Sequence, residues 1–422
     1  MASGPPREAE TRDRELSESR TPHRPDDWIV DSSRYRKVPA LKLDDGSRVA
    51  VIGGGPAGSL FAYFLLSMAQ LADLRIQVDL FEPRDFIDDT GSPCNMCGGI
   101  ISETLVQNLA ADGVNLPPDV VQRGIESYVL HIDGERVRIA TPVREKRIAS
   151  VYRGTGPRKL DVSLKTWKSF DGYLQQLAID MGARPIRQRV TAVDWENGLP
   201  YLSVKGGDPE PYELVAVATG VNSPALKLFR DEPLNYELPT TTKTFIREYH
   251  LGQASVEERL GDAMHVFLSD LPGIEFAAII PKLNCATVCL LGDDIGKEVF
   301  DAFLESPSVQ CCLPPKEHLD EFACNCSPRM NVCGSRKPYG NRIVFVGDSG
   351  VTRLFKDGIG AAYRTAKAAA RTVVFSGIGV DDFERNFMPT CRAIRTDNTF
   401  GRLVFGITDQ IKKRRFARQA VL

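Results

Sequence analysis

The chain has 422 residues, of which 42% are hydrophobic and 26% charged, and its formal net charge is −2. That length exceeds one ordinary core, so two domains, or one domain with insertions, are expected. The near-neutral balance gives no whole-molecule attraction to nucleic acid or an anionic membrane, and no nucleic-acid partner is expected. Ten cysteines without a charged-then-apolar export signal read as mostly reduced thiols of a cytoplasmic protein. The longest apolar stretch near the front, Leu60 to Ala69, is too short to span a bilayer.

Residues 1–46 are rich in Pro, Arg, Glu, Asp and Ser without apolar periodicity, and read as a disordered tail. In "SRVAVIGGGPAGSLFAYFLLSMAQ" the run Val49 to Ile52 is a buried parallel strand, and Leu60, Phe61, Phe64 and Leu65 recur at helical spacing. "RIQVDLFE" is a second strand, completing a βαβ opening within a nucleotide-binding segment, 47–126. "SYVLHIDGERVRIATP" alternates about an Asp133-Gly134 turn, which assigns 127–150 to a second, strand-built domain. The nucleotide-binding domain resumes over 151–234, with "SFDGYLQQLAIDMGARPI" a helix closed by Gly182. Residues 235–334 are strand-rich and form the body of a substrate domain. The first domain returns at 335–380 with the strand "NRIVFVGDSG" and the Ala-rich helix "IGAAYRTAKAAARTVVF". Residues 381–422 are helical and end in a basic segment.

Gly53, Gly55 and Gly58 form G-x-G-x-x-G, with Pro56 and Ala57 inside it, between a strand and a helix. The first glycine permits the turn, the second lets a pyrophosphate approach, and the third lets helix pack on strand. The helix N-terminus then supplies free N–H groups and positive dipole. Glu82 ends the next strand, where a carboxylate accepts from both ribose hydroxyls and disfavours a 2′-phosphate. FAD or NAD fits this loop better than NADP.

Cysteines raise two questions. "SPCNMCGG" places Cys94 and Cys97 as Cys-x-x-Cys, which serves redox dithiols and metal sites alike; it also suits a loop lying against a flat ligand, with or without a Cys94–Cys97 disulfide. Cys311, Cys312, Cys324, Cys326 and Cys333 lie within 23 positions, but match neither ferredoxin spacing nor paired zinc spacing. Scattered core thiols are the reading, with an iron–sulfur cluster or redox pair as the alternative. His131, His250, His265 and His318 are isolated in sequence and read as surface or satisfied core residues, so no metal site is expected. "IKKRRFAR" behind Leu403, Val404 and Phe405 reads as a solvated helix end, or as a peripheral membrane contact.

Four motifs in order resemble the FAD-dependent geranylgeranyl reductase family, within the p-hydroxybenzoate hydroxylase-like flavoproteins, over residues 47–380. They are "VIGGGPAGS", "CGG" at Cys97-Gly98-Gly99, "VYRG" with "FDGYLQQLAIDMGA", and "VFVGDSG" running to "DGIGAAYRTAKAAA". The resemblance implies a Rossmann-like FAD-binding domain of glutathione-reductase type, an inserted β-sheet substrate domain and C-terminal helices. It implies that the Cys97 loop lies against the isoalloxazine, that Arg153 stands near the flavin, and that both are catalytic. Val190, Thr219 and Gly220 join the cofactor set by the same resemblance. Asp348 would accept from the ribityl chain, and the helix at Gly358, Ile359 and Gly360 would face the flavin pyrimidine edge. The implied reaction is hydride transfer from FAD to a small apolar, isoprenoid-like unsaturated substrate. NAD(P)H or a reduced carrier protein would be the transient donor. A monooxygenase or an electron-transfer flavoprotein is the alternative. This chain departs from the pattern in four places, one being "GDSGVTRLFKDGIG", which lacks the proline that hydroxylases favour between the Gly-Asp motif and its helix. An insert, "GTGPRKLDVSLKTWKS", separates Arg153 from Phe170-Asp171. Thr219 stands where hydroxylases carry an acid. In "FAAIIPK", Phe276 and Pro281 fit the reductases' substrate motif, while Ala278 and Ile280 replace its larger aromatics.

Overall fold

A computed structural model describes residues 41–86, 97–132, 134–154, 168–230, 234, 236–315, 319, 324–355 and 357–413. Strand Arg48–Ile52 is central in a parallel sheet because Val49, Ala50, Val51 and Ile52, at or near full burial, have apolar neighbours on both faces. The sheet runs Tyr339–Gly340, Ile343–Phe345, Leu214–Val217, Arg48–Ile52, Gln77–Phe81, Arg184–Ile186, parallel except for its first, antiparallel strand. Helices Pro56–Leu71 and Gly358–Phe375 share a core with this sheet, along with helix Phe170–Asp180. This is the α/β architecture the sequence predicts.

A seven-stranded, mostly antiparallel sheet joins Cys324–Cys326, Phe245–His250, Cys285–Gly292, Ile274–Pro281, Ala263–Phe267, Ser127–Ile132 and Glu135–Ala140. Its one parallel pair is Ala263–Phe267 with Ser127–Ile132, which places His265 opposite Val129 and Phe267 opposite His131. A small antiparallel sheet, Ile100–Ile101, Ile148–Val151 and Val121–Ile125, carries the segment after Cys97 and the segment before Arg153. Helices Lys297–Leu304 and Pro307–Gln310 bring Phe300, Phe303 and Val309 into a core with Phe245, Phe267 and Val288 of the seven-stranded sheet.

The tail expected over 1–46 falls outside the described residues up to 40. Beyond that it is packed: Leu43 is buried in the main core, and the Leu41 carbonyl accepts the Ile378 N–H at 2.7 Å. The apolar pair in "ALKLDD" overrides the polar composition around it. Asp133 of the hairpin turn, the insert residues 155–167 and the final residues 414–422 lie outside the description. Among the described residues, no helix is long and apolar enough to cross a membrane.

Candidate functional site

The glycine loop follows directly from the strand. Gly53 has φ +106°, and a Cβ there would lie 2.6 Å from the Ala218 carbonyl oxygen. Gly58 is under a harder constraint, since its Cβ would fall 1.8 Å from the Gly53 oxygen. Gly55 differs: its Cβ would meet only Arg153 Nη2 and Asp171 Oδ2, at 3.7 and 3.9 Å. The space is therefore open on the side where a ligand would approach. Gly55 also caps helix Pro56–Leu71 without any side-chain hydrogen bond, so the helix keeps its N-terminal donors. Beside Gly54, the fully buried Gln175 has an Nε2 group without a hydrogen-bond partner among the described residues. An orphaned buried donor next to bare helix-end amides suits a dinucleotide phosphate.

Glu82 is buried at the end of its strand, as expected, but it is already engaged. Oε2 accepts the Gly54 N–H at 3.0 Å, and Oε1 accepts the Arg84 N–H and Nε–H, both at 3.0 Å. Oε1 thus has both lone pairs taken and Oε2 also accepts from Arg84 Nη2 at 3.3 Å, so a ribose hydroxyl would take the place of one of the Arg84 bonds. Arg84 was not anticipated, and it offsets the carboxylate charge on which the preference against a 2′-phosphate rests.

Arg153 makes a bidentate pair with Asp171, at 3.0 and 2.9 Å. Asp171 is fully buried in the first turn of helix Phe170–Asp180. The insert leaves this pairing intact, because Phe170 N donates to the Tyr152 carbonyl and Ser169 Oγ to the Arg153 carbonyl. Burial opposes the charge on Arg153, but Asp171 and Cys97 outweigh it, so the guanidinium holds its proton more tightly than usual. Cys97 is a free thiol within hydrogen-bonding reach of Arg153, and its Sγ also accepts the Gly99 N–H at 3.4 Å. Cys94 lies outside the described residues, and with it the expected alternative of a disulfide. Gly99 has φ +76°, and its Cβ would lie 2.0 Å from the Val151 oxygen; the Cβ of Gly98 would lie 2.9 Å from Ile280 Cδ1. Both glycines press the loop against its neighbours.

The remaining predicted residues gather around Gly347–Ser349. Gly220 N donates to Ser349 Oγ at 3.0 Å, and Thr219 Oγ1 lies 3.5 Å from the same oxygen. A Cβ on Gly347 would lie 2.7 Å from Ala57 Cβ, joining this turn to the first helix. Burial raises the pKa of Asp348, while a hydrogen bond from Thr352 and the Arg153 charge lower it. Helix Gly358–Phe375 starts as expected, with Ile359 and Gly360 buried. Its cap is Asp357, which sequence reasoning missed: at φ +44° it accepts the Gly360 N–H through Oδ1 at 3.0 Å and pairs with Arg353 at 3.1 Å. The loop before it is clamped by Asn398, which accepts from Leu354 N at 2.7 Å and donates to the Thr352 carbonyl at 2.8 Å. Val190 opens strand Val190–Glu196 with its side chain in the core around Ile52 and Val217. Only its backbone remains for a cofactor.

A further polar pair lies behind the Cys97 loop. Lys282 and Glu248, both nearly inaccessible, form an ion pair at 2.7 Å, and Thr287 Oγ1 donates to the same carboxylate oxygen at 2.8 Å. Lys282 Nζ stands 4.1 Å from the Tyr152 ring centre, one residue before Arg153.

The later cysteines separate. Cys326 sits on an edge strand opposite Ile246, Cys333 is exposed on strand Arg329–Cys333, and the side chain of Cys324 is outside the description. Cys311 and Cys312 instead meet two of the histidines read as isolated, with His131 Nε2 and His265 Nδ1 only 2.9 Å apart. Parallel strand pairing brings those rings together. His250 ends strand Phe245–His250, and His318 is outside the described residues.

Comparison with known proteins places this arrangement. A geranylgeranyl bacteriochlorophyll reductase-like protein from Thermoplasma acidophilum superposes with a TM-score of 0.65 at 16% identity, over 88% of this chain and 91% of that one. HpxO of Klebsiella pneumoniae, solved with FAD, gives 0.59 at 14% identity over 88% and 94%. The fold is that of the FAD-binding flavoproteins. A 2-methyl-3-hydroxypyridine-5-carboxylic acid oxygenase shares the flavoprotein fold equally well, at 0.59 and 16% identity over 86% and 93%. No family model and no curated protein matches the chain.

Proposed function

We propose that the protein is an FAD-dependent oxidoreductase that reduces a small apolar, unsaturated, isoprenoid-like substrate. The observation that carries this reading is the convergence of Gly55, Cys97, Asp171 and Asp348 on one guanidinium, that of Arg153. When bound, FAD supplies hydride chemistry at its N5 atom. Gly53, Gly55 and Gly58, with Pro56 and Ala57, would hold the pyrophosphate at the helix end; Glu82 would accept from the ribose and Asp348 from the ribityl chain. Cys97 stands beside the fixed positive charge of Arg153, a pairing suited to giving a proton to the carbon next to the one that receives hydride. Gly98 and Gly99 would let backbone approach the ring, the helix end at Gly358, Ile359 and Gly360 would face its pyrimidine edge, and Thr219 and Gly220 would help to hold the cofactor. The buried apolar cluster of Ala278, Ile280 and Cys289 with Ile246 and Met264, next to the Cys97 loop, supports an apolar substrate.

The electron donor in this reading is NAD(P)H or a reduced carrier protein. Peripheral membrane contact would deliver a lipid-like substrate: Phe400, Leu403, Val404 and Ile407 are all more than half exposed on helix Met388–Lys413. Monooxygenation is the competing reading, since an oxygenase shares the fold. The test is anaerobic reduction with NADH, NADPH or dithionite, followed by separate mixing with polyprenyl alkenes and with oxygen. Reoxidation by the alkene, with a saturated product, supports the reductase. Reoxidation by oxygen alone, with an oxygenated product, overturns it.

A further inference from the structure

The group formed by His131, His265, Cys311 and Cys312 lies outside the flavin site. His131 and His265 project from adjacent parallel strands, two register positions apart, and therefore on one face of the sheet. Cys311 and Cys312 follow helix Pro307–Gln310, which packs over that face. His131, His265 and Cys312 are buried and Cys311 is exposed. Their separations are 2.9 Å for His131 Nε2 to His265 Nδ1, 3.3 Å for Cys312 Sγ to His265 Nδ1 and 3.7 Å for Cys312 Sγ to His131 Nε2. Cys311 Sγ lies 3.9 Å from Cys312 Sγ, and the ligand atoms of His131, Cys311 and Cys312 all fall within 4.8 Å of one another.

We propose that these four side chains form a zinc-binding site that fastens the helical segment 297–312 to the seven-stranded sheet. A tetrahedron with Zn–N bonds of about 2.0–2.1 Å and Zn–S bonds of about 2.3 Å has edges of roughly 3.3–3.8 Å. The separations among His131, His265 and Cys312 and between the two thiols run from 2.9 to 3.9 Å and bracket that range, while Cys311 lies more than 4.8 Å from His265 and has the exposure to close that edge. Two imidazoles and two thiolates are a set that zinc selects. Zinc binding breaks two S–H bonds, forms two Zn–S bonds and releases two protons to solvent.

The chain's own hydrogen bonds are a poorer account of the cluster. His265 Nε2 lies 3.2 Å from the Leu260 carbonyl and donates to it, leaving one in-plane lone pair on Nδ1. Both His131 Nε2 and the Cys312 thiol approach that lone pair, which serves one donor well; Cys312 is otherwise left the Ser308 carbonyl at 3.6 Å, which already accepts from Cys311 at 3.0 Å. A cation satisfies all three groups, and the Leu260 bond becomes the outer contact that orients a ligating histidine.

The experiment uses the full-length, tag-free flavoprotein, stripped with chelator and then titrated with Zn²⁺ or Co²⁺. One zinc per chain is expected, with cobalt giving thiolate charge-transfer and d–d bands, the latter beyond the flavin absorption. Zinc should also slow alkylation of Cys311 but not of Cys333, read by peptide mapping. Cys312→Ser should abolish binding. If that variant does not fold, Cys311→Ser, at an exposed position, should fold and weaken zinc binding by at least roughly 100-fold, the upper end of what losing one supporting group costs. Absence of bound metal, a cobalt spectrum lacking thiolate bands, or unchanged affinity in Cys311→Ser overturns the proposal.

Discussion

Asp171 Oδ2 lies 2.9 Å from Arg153 Nη2, across an insert that parts the two residues in sequence. Asp171 is sealed from water whereas the Arg153 side chain is 22% exposed, so the two depend on each other unequally. Asp171→Asn should lower stability by about 2–3 kcal/mol, below the full cost of breaking a sealed pair because Arg153 can rehydrate. Its turnover should fall more than its flavin content. Denaturant unfolding and single-turnover reduction, run on the same sample, check both. Arg153→Lys should keep the flavin but lose the fork geometry, and with it most of the rate.

The glycine loop yields a contrast between neighbouring positions. Gly58→Ala places a methyl against the Gly53 carbonyl, which nothing nearby can relieve, and should give unfolded or flavin-free protein. Gly55→Ala meets only side-chain tips and should fold normally, yet bind FAD at least roughly tenfold more weakly, about 1.4 kcal/mol. Circular dichroism together with flavin fluorescence titration separates the two outcomes. If Gly55→Ala binds FAD as tightly as the parent, the pyrophosphate does not pass there.

Asp357 places a negative charge at the end of the helix expected to face the flavin. It offsets the positive helix-end potential that would favour reduced, anionic flavin. Asp357→Asn keeps the cap, since asparagine serves that position as well, and removes the charge. The two-electron potential should rise by about 10–20 mV, equivalent to roughly 0.5–1 kcal/mol. Spectroelectrochemistry checks this, and an unchanged potential would mean that Asp357 lies too far from the ring to act on it.

Lys282 and Glu248 should show strong coupling. Removing either charge alone, as Lys282→Met or Glu248→Gln, leaves its partner buried and should cost about 3–5 kcal/mol. The double variant should recover a large part of that loss, measured by a double-mutant cycle in denaturant.

Thiol reactivity should divide by burial. Cys285 and Cys391 are pushed up to about 12 by burial, so their thiolates are scarce at neutral pH. Cys333 is exposed and should alkylate within the time that Cys285 and Cys391 remain intact, as followed by mass mapping of the native protein.

Local signals made the dinucleotide loop legible. A short apolar strand, three glycines and a helix of period 3.6 lie within one stretch of chain, and each constrains its neighbours. Asp357 was missed, although an acid directly before "GIG" at a helix start, where caps belong, carried the signal that would have found it. His131 and His265 were not legible as a pair. They are 134 positions apart, and only the parallel register between two strands makes them neighbours. Each stands in an apolar run, "SYVLHI" and "AMHVF", which marks a buried imidazole without naming what it faces. The separation of the later cysteines was hidden for the same reason, since their closeness in sequence carries no information about which strand each one joins.

The tight seat of Gly98 against Ile280 and Cys289 has a consequence for engineering. A larger residue at position 280, the natural choice for narrowing an apolar pocket, would push on the backbone carrying Cys97. Libraries built at Ile280 to retune selectivity should therefore shift reactivity in the same clones, and a variant selective at undiminished rate will need a second change in the Cys97-Gly98-Gly99 turn.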